Sequence, residues 1–287
     1  MRALVLSGGG ARGAYQAGAL KYLIGDLGLR YDILCGISVG ALNCGFLSMF
    51  SKEKETDGLA ELVNIWETIS TEKVHKRWFP FGRLHCLWEK SLYNSKPLMD
   101  LVRSRLDLNI VRNSGKMVGV GAVSLSTGKF RMFTQNDDSF VDGVLASSSF
   151  PAFLTPIEID GELWSDGGIK EVTPLQQAID FGATEIDVIM CSPLKPSEAY
   201  NENDNTIDVA MRSIGVMNDE IMVNDIKMAL MYNKLVSLGA AGDKRIINIK
   251  LIYPDSGLNI DSLVFDHDKI MNLINQGYEE AKIKYTL

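Results

Sequence analysis

Five residues constrain this chain more than any others. Gly36-Ile37-Ser38-Val39-Gly40 comes directly after the apolar run Ile33-Leu34-Cys35 and before Ala41-Leu42. A serine with glycines two positions to either side fits a sharp, strained turn from a buried strand into a helix. Where two stretches of backbone pass that close, a Cβ has no room, which is why Gly36 and Gly40 suit the turn. The turn also lifts the Ser38 hydroxyl to where a reacting group can reach it. An ordinary glycine-rich turn shows the same pattern, so both readings stand at this point.

The flanking residues say what kind of sheet carries the turn. Arg2–Leu6 reads as a first buried strand closed by Gly8-Gly9-Gly10, and Ala11–Leu23 follows with apolar residues at helical spacing. Tyr31–Cys35 reads as the second strand and Ala41–Phe50 as the second helix. Strand, glycine loop, helix, strand, glycine turn, helix is an α/β layout with a mostly parallel sheet. Leu59–Ile69 reads as another helix. Met117–Leu125 and Lys129–Thr134 flank Ser126-Thr127-Gly128 and read as a hairpin, followed by a short helix over Val141–Ser148. Glu158–Trp164 holds the turn signal Asp160-Gly161. Glu185–Met190 and Ile246–Ile252 read as further strands, and Asp268–Lys284 as a closing helix.

Three stretches carry less definite signals. Trp78-Phe79-Pro80-Phe81, Leu84, Leu87 and Trp88 are interleaved with Lys73, Lys76, Arg77 and Arg83. A packed connector fits them; the alternative is an aromatic, basic lip that touches lipid headgroups. Pro193–Asn205 is polar and is expected to be a mobile loop. Beyond it, Ile207, Met211, Ile214, Met217, Ile221, Met228, Met231, Leu235 and Leu238 follow helical periodicity. They predict one long amphipathic helix whose Met-rich stripe packs on the core, with a self-association face or an acyl-chain wall as alternatives. No repeat or linker divides the chain. Residues 1–287 are expected to form one domain, with 4–191 carrying every motif and 192–287 completing it.

Bulk properties narrow the function classes. At 287 residues and 46% hydrophobic content the chain can bury one large core or two small ones. Its net charge of −7 argues against a nucleic-acid partner, which needs a basic face, and provides no general attraction to anionic lipid. The apolar start Arg2–Leu6 is too short for the core of a signal peptide. Ile33 to Phe50 runs without a charge, but its glycines, Ser38 and Asn43 mark a buried strand and helix rather than a membrane span. Cys35, Cys44, Cys86 and Cys191 show no metal-ligand spacing and read as reduced core thiols of a cytoplasmic protein.

A nucleophilic serine needs a base and donors for an oxyanion. Of the histidines, only His267 lies where a hydrolase triad would put one, and Phe265-Asp266-His267-Asp268 reads as the start of the last helix. His75 and His85 fall in the aromatic-basic segment with no partner pattern. The other candidate base is Asp166, in Asp166-Gly167-Gly168. A carboxyl with a pKa of about 4 is a poor base at neutral pH, but burial beside an apolar substrate would raise it.

The amides of Gly8-Gly9-Gly10-Ala11-Arg12-Gly13 are the source of oxyanion donors, and Arg12 could pin that loop or meet an anionic headgroup. Gly8-x-Gly10-x-x-Gly13 also matches a dinucleotide-binding fingerprint, which asks for an acid at the end of the second strand. Asp32 is at that strand's start, so a nucleotide is disfavoured. A P-loop is excluded, since no Gly-Lys-Ser/Thr follows.

Taken together, the Gly8–Gly13 loop, Gly36–Gly40 and Asp166-Gly167-Gly168 resemble the patatin-like phospholipase family in order and spacing. Ala146-Ser147-Ser148-Ser149-Phe150-Pro151 and the later Gln276-Gly277-Tyr278 add to the resemblance, which spans roughly Leu4 to Cys191. It implies a three-layer α/β/α fold and a lipid acyl hydrolase with a Ser38–Asp166 dyad. Ser38 would be the nucleophile, Asp166 the general base and the amides of Gly8, Gly9, Gly10, Ala11, Arg12 and Gly13 the oxyanion hole. Gly36 and Gly40 would shape the elbow, and Gly167 and Gly168 the aspartate turn. It implies no metal and no cofactor. The expected partners are a phospholipid or glyceride substrate and, transiently, a membrane surface; homo-oligomerisation stays open. Acyl transfer through the same acyl-enzyme is the second reading, although family acyltransferases of related fold commonly carry histidine where Ile37 stands. A non-catalytic lipid-binding module is the third.

Overall fold

The structure, a computed structural model, describes residues 1–79, 88–195, 206–240 and 245–286. His85, Cys86 and the centre of the aromatic-basic segment lie outside the described residues, as does most of the expected loop after Pro193.

Eight strands among the described residues form one sheet: β1 (Arg2–Leu6), β2 (Ile33–Ile37), β3 (Met117–Ser124), β4 (Phe130–Thr134), β5 (Ile157–Ile159), β6 (Glu162–Asp166), β7 (Glu185–Ile189) and β8 (Asn248–Ile252). Their order is β5-β6-β3-β2-β1-β7-β8, with β4 also on β3. The run β3-β2-β1-β7-β8 is parallel, and β4, β5 and β6 pair antiparallel. The helices are α1 (Gly13–Leu20), α2 (Val39–Leu47), α3 (Glu55–Thr68), α4 (Thr71–Val74), α5 (Lys96–Arg105), α6 (Leu108–Asn113), α7 (Phe140–Ser147), α8 (Leu175–Asp180), α9 (Thr206–Ser237) and α10 (His267–Thr286).

Alternation along the strands divides the apolar residues between two cores. Leu4, Leu6 and Leu34 face one core with α1, α2, α3, α5, α7 and α10; Ala3, Val5, Ile33 and Cys35 face the other with α8 and α9. Strands covered on both faces have no polar side to show, which is why β1 and β2 are apolar throughout their buried length. The result is the expected α/β/α layering. Cys35, Cys44 and Cys191 are buried free thiols. Among the described residues, no helix is long and apolar enough to cross a membrane.

The long helix departs from expectation. α9 forms over one continuous stretch, but Met217, Met228, Met231, Leu235 and Leu238 are exposed. Met222, Ile226 and Ala229 make the core contact instead. Periodicity identified the helix; it did not identify the face that another element covers.

The flank of the aromatic-basic segment is a packed connector at its base. His75 is buried, its Nε2 lies 2.8 Å from the Leu263 carbonyl, and its ring lies against Tyr93. Trp78 Nε1 donates to the Ser91 carbonyl at 3.0 Å, while Phe79 and Trp88 are exposed.

Candidate active site

The elbow after β2 is as tight as its glycines require. A Cβ on Gly36 would stand 2.2 Å from the Gly40 carbonyl oxygen, and one on Gly40 would stand 2.2 Å from that of Leu6. Between them Ser38 adopts φ 56° and ψ −125°, a conformation that disfavours any side chain and costs on the order of 1–3 kcal/mol. Such a residue persists only when its surroundings hold it. Here the hold comes from the end of α7: the Ser38 N–H donates to the Ser147 hydroxyl at 2.9 Å, and the Ser148 hydroxyl shares its proton between the Val144 carbonyl at 2.9 Å and the Ser38 carbonyl at 3.2 Å.

Asp166 reaches the same place through β3. The β4 strand covers one edge of β3, and β2 covers the other as far as the pair Ile37–Gly121. From the next residue, Ala122, β6 takes over that edge, and the partner of Ala122 is Asp166. Consecutive residues of one strand therefore bring the residue before Ser38 and Asp166 side by side. The serine triplet fastens this end too, since the Asp166 N–H and the Ser165 hydroxyl both donate to the Ser149 carbonyl, at 3.1 and 2.7 Å.

The Asp166 carboxyl is almost wholly buried, and its Oδ1 accepts the Gly168 N–H at 2.8 Å. Burial pushes its pKa up to about 7, while the Ser38 hydroxyl and the Gly168 N–H favour the ionised form. Oδ2 is buried and accepts no hydrogen bond. An acceptor left open beside a serine hydroxyl, with a pKa near neutrality, is suited to taking a proton.

The glycine loop lies against the same serine. A Cβ on Gly8 would fall 3.2 Å from Ser38 Cβ. Most of the loop's amides are already engaged: Gly8 donates to the Val172 carbonyl at 3.3 Å, Ala11 to Ser262 at 2.8 Å, Arg12 to Gly9 at 3.2 Å and Gly13 to Gly10 and Ala11. Gly9 and Gly10, which also line the cavity beside Ser38, donate to no described group. Beneath the loop runs a buried polar chain. Trp66 Nε1 donates to Asn43 Oδ1 at 3.0 Å, Asn43 Nδ2 to Gln16 Oε1 at 2.8 Å, and Gln16 Nε2 to the Ser7 carbonyl at 2.8 Å.

Ser38, Asp166 and the loop open into one cavity of about 630 Å³. Its apolar lining includes Leu62 and Trp66 of α3, Ile69 just past that helix, Leu98 and Val102 of α5, and Phe265. Arg12, Ser192 and, from α9, Arg212, Asn218 and Asp219 supply polar groups. Arg12 Nε is buried without a partner. Burial raises the Asp219 carboxyl, against the Ser192 hydroxyl and the charges of Arg12 and Arg212. His267 is elsewhere: it is the exposed first residue of α10, with Nδ1 3.1 Å from the Glu67 carbonyl.

A sequence profile described as "Patatin-like phospholipase" matches residues 4–179, well over half of the chain. The chain belongs to the patatin-like phospholipase family. It is similar to a protein named "cGAMP-activated phospholipase" from Pseudomonas aeruginosa (strain BWHPSA011 / Pa011), at 30% identity over 190 residues, 60% of this chain and 53% of that protein. It is also similar to "Probable lipid hydrolase 463L" of Invertebrate iridescent virus 6, at 25% identity over 194 residues, 63% of this chain and 64% of the relative. The match spans about half the length of the first curated relatives. Among solved structures, VipD from Legionella pneumophila is a remote likeness, with a TM-score of 0.49 at 14% identity over 99% of this chain and 66% of that one.

Residues 147–149 entered the sequence reading only as part of a resemblance, with no role attached. Asp225 of α9 was missed altogether. Its Oδ2 accepts the N–H groups of Val172 and Thr173 at 3.0 and 2.9 Å, and Val172 in turn holds Gly8. Bonds to backbone from so far along the chain leave no local signature.

Proposed function

We propose that this patatin-like protein is a serine lipid acyl hydrolase of the phospholipase A or lysophospholipase type. The observation that carries the reading is the β3 register, with Gly121 paired to Ile37 and Ala122 to Asp166.

Ser38 Oγ attacks the acyl carbonyl carbon while its proton passes to Asp166. The carbonyl oxygen takes the negative charge and accepts hydrogen bonds from Gly9 and Gly10, a type of contact worth about 2.7–4 kcal/mol per donor. As the intermediate collapses, the ester bond breaks and the leaving alkoxide takes the proton from Asp166, leaving the acyl group on Ser38. Water then attacks, gives its proton to Asp166 and releases the fatty acid, and Ser38 recovers the proton. The apolar wall of α3 and α5 suits the acyl chain; it also keeps water from the carboxyl, which holds the pKa of Asp166 up.

Mass spectrometry of products from a mixed phospholipid and glyceride pool tests the reading. Free fatty acid and the deacylated lipid are expected with the wild type and absent with Ser38→Ala. Acyl groups moved onto an added alcohol would favour acyl transfer, and no turnover by folded protein would favour a binding module.

A further inference from the structure

The C-terminal half of α9 leaves an apolar face in water. Met222, Ile226 and Ala229 turn into the core, and Asn233 grips Ile247, its Nδ2 donating to the carbonyl at 2.7 Å and its Oδ1 accepting the N–H at 2.8 Å. On the other side Met228, Met231, Leu235 and Leu238 follow one another at steps of three and four, each between 45% and 70% exposed. A single exposed apolar residue needs no account; three in register on one helix face, with Leu238 one residue past its end, do.

The rim of that face is basic. Lys227, Lys234 and Arg245 are exposed. Among the described residues between 226 and 245 the charged side chains are three bases, Lys227, Lys234 and Arg245, with no acid. That is a net +3 on a chain of −7, so the other residues together carry −10. Attraction for anionic lipid is thus gathered at one surface of a molecule whose remaining charge repels it. An apolar helix face edged by Lys and Arg is the composition of a helix that lies in the headgroup layer. A second copy suits the face less well, because a two-fold contact through it would set base against base.

We propose that this face of α9 docks on the surface of an anionic phospholipid bilayer. The N-terminal half of the same helix walls the Ser38 cavity through Met211, Ile214, Asn218 and Met222. One helix thus carries both the docking face and part of the cavity wall. The choice of lipid as partner rests on the acyl-hydrolase reading, but docking itself requires no catalysis.

Co-sedimentation of the Ser38→Ala protein with vesicles tests it, using phosphatidylcholine mixed with phosphatidylglycerol against phosphatidylcholine alone. Partition onto the mixed vesicles is expected, weakening as salt is added. Met228→Glu with Leu235→Glu, and separately Lys227→Glu with Lys234→Glu, should each weaken it by about tenfold or more. Placed in the active enzyme, both pairs should leave hydrolysis of a soluble short-chain ester unchanged. Undiminished partition of both double variants overturns the proposal. So does a free dimer that Met228→Glu with Leu235→Glu breaks, since a second copy would then cover the face. Partition without any ester hydrolysis by the wild type would instead defeat the Ser38 reading and leave the docking surface standing.

Discussion

The Ser147 hydroxyl accepts the main-chain N–H of Ser38 at 2.9 Å, from the last turn of a helix 109 residues further along the chain. Together with the Ser148 hydroxyl on the Ser38 carbonyl and the Ser149 carbonyl under Asp166, it makes three consecutive serines a clamp on both candidate catalytic residues. The strain in Ser38 and the placement of Asp166 share one support.

Ser147→Ala should therefore cost activity as well as stability. It leaves a donor at the elbow without its partner, which destabilises by about 1–3 kcal/mol. The elbow also gains freedom to relax toward ordinary backbone angles. Thermal melts and steady-state kinetics should show a lower melting temperature and a fall in kcat larger than any change in KM.

Asp166 makes opposite predictions for activity and stability. The carboxyl must be ionised to accept a proton, so kcat/KM should rise with pH through about 7. Its folded pKa lies above the unfolded value, so the native state holds more protons between the two. Stability from this group is then present at low pH and is lost as pH rises from about 4 toward 7. Asp166→Asn should abolish turnover, and its gain in melting temperature over the wild type should be larger at pH 8 than at pH 5. A gain that shrinks with rising pH would contradict the burial of an ionisable group there.

The Trp66–Asn43–Gln16 chain is satisfied at every link. Asn43→Leu removes the middle link and strands the Trp66 N–H and the Gln16 carbonyl oxygen, a loss of about 2–6 kcal/mol at 1–3 kcal/mol for each group. Trp66→Phe removes the donor at the end of the chain and should cost less. Denaturant unfolding of the two variants gives the comparison.

How far all this was legible beforehand depends on the range of the signal. The strands Arg2–Leu6, Ile33–Ile37 and Glu185–Ile189 and the two glycine turns were readable because apolar runs and glycines act within a few residues. Lys96–Arg105, Leu108–Asn113 and Leu175–Asp180 were not read as helices, being short or strongly mixed with polar residues. The meeting of Ser38 and Asp166 was inferred from resemblance; what brings them together is pairing with Gly121 and Ala122, which no local pattern encodes. The exposed side of α9 was misjudged for a related reason, since periodicity says that a helix has two faces and not what covers each.

Asp225 extends the site from the far side. Burial pushes its carboxyl up to about 6, and it holds the N–H groups of Val172 and Thr173. Asp225→Ala should strand both and loosen the Val172 carbonyl that anchors Gly8, lowering kcat by about five- to 150-fold for about 1–3 kcal/mol of misplaced loop. Asp225→Asn keeps an acceptor and should recover most of the rate. Equal losses in the two variants would show that the charge, rather than the clamp, matters.

Intact-mass measurement of fluorophosphonate labelling tests the Ser38–Asp166 pairing most directly. One adduct per chain, mapped to Ser38, is expected for the wild type, with none on Ser38→Ala and labelling of Asp166→Asn slowed by about a hundredfold or more. An adduct on another residue, or an undiminished rate in Asp166→Asn, would contradict the account.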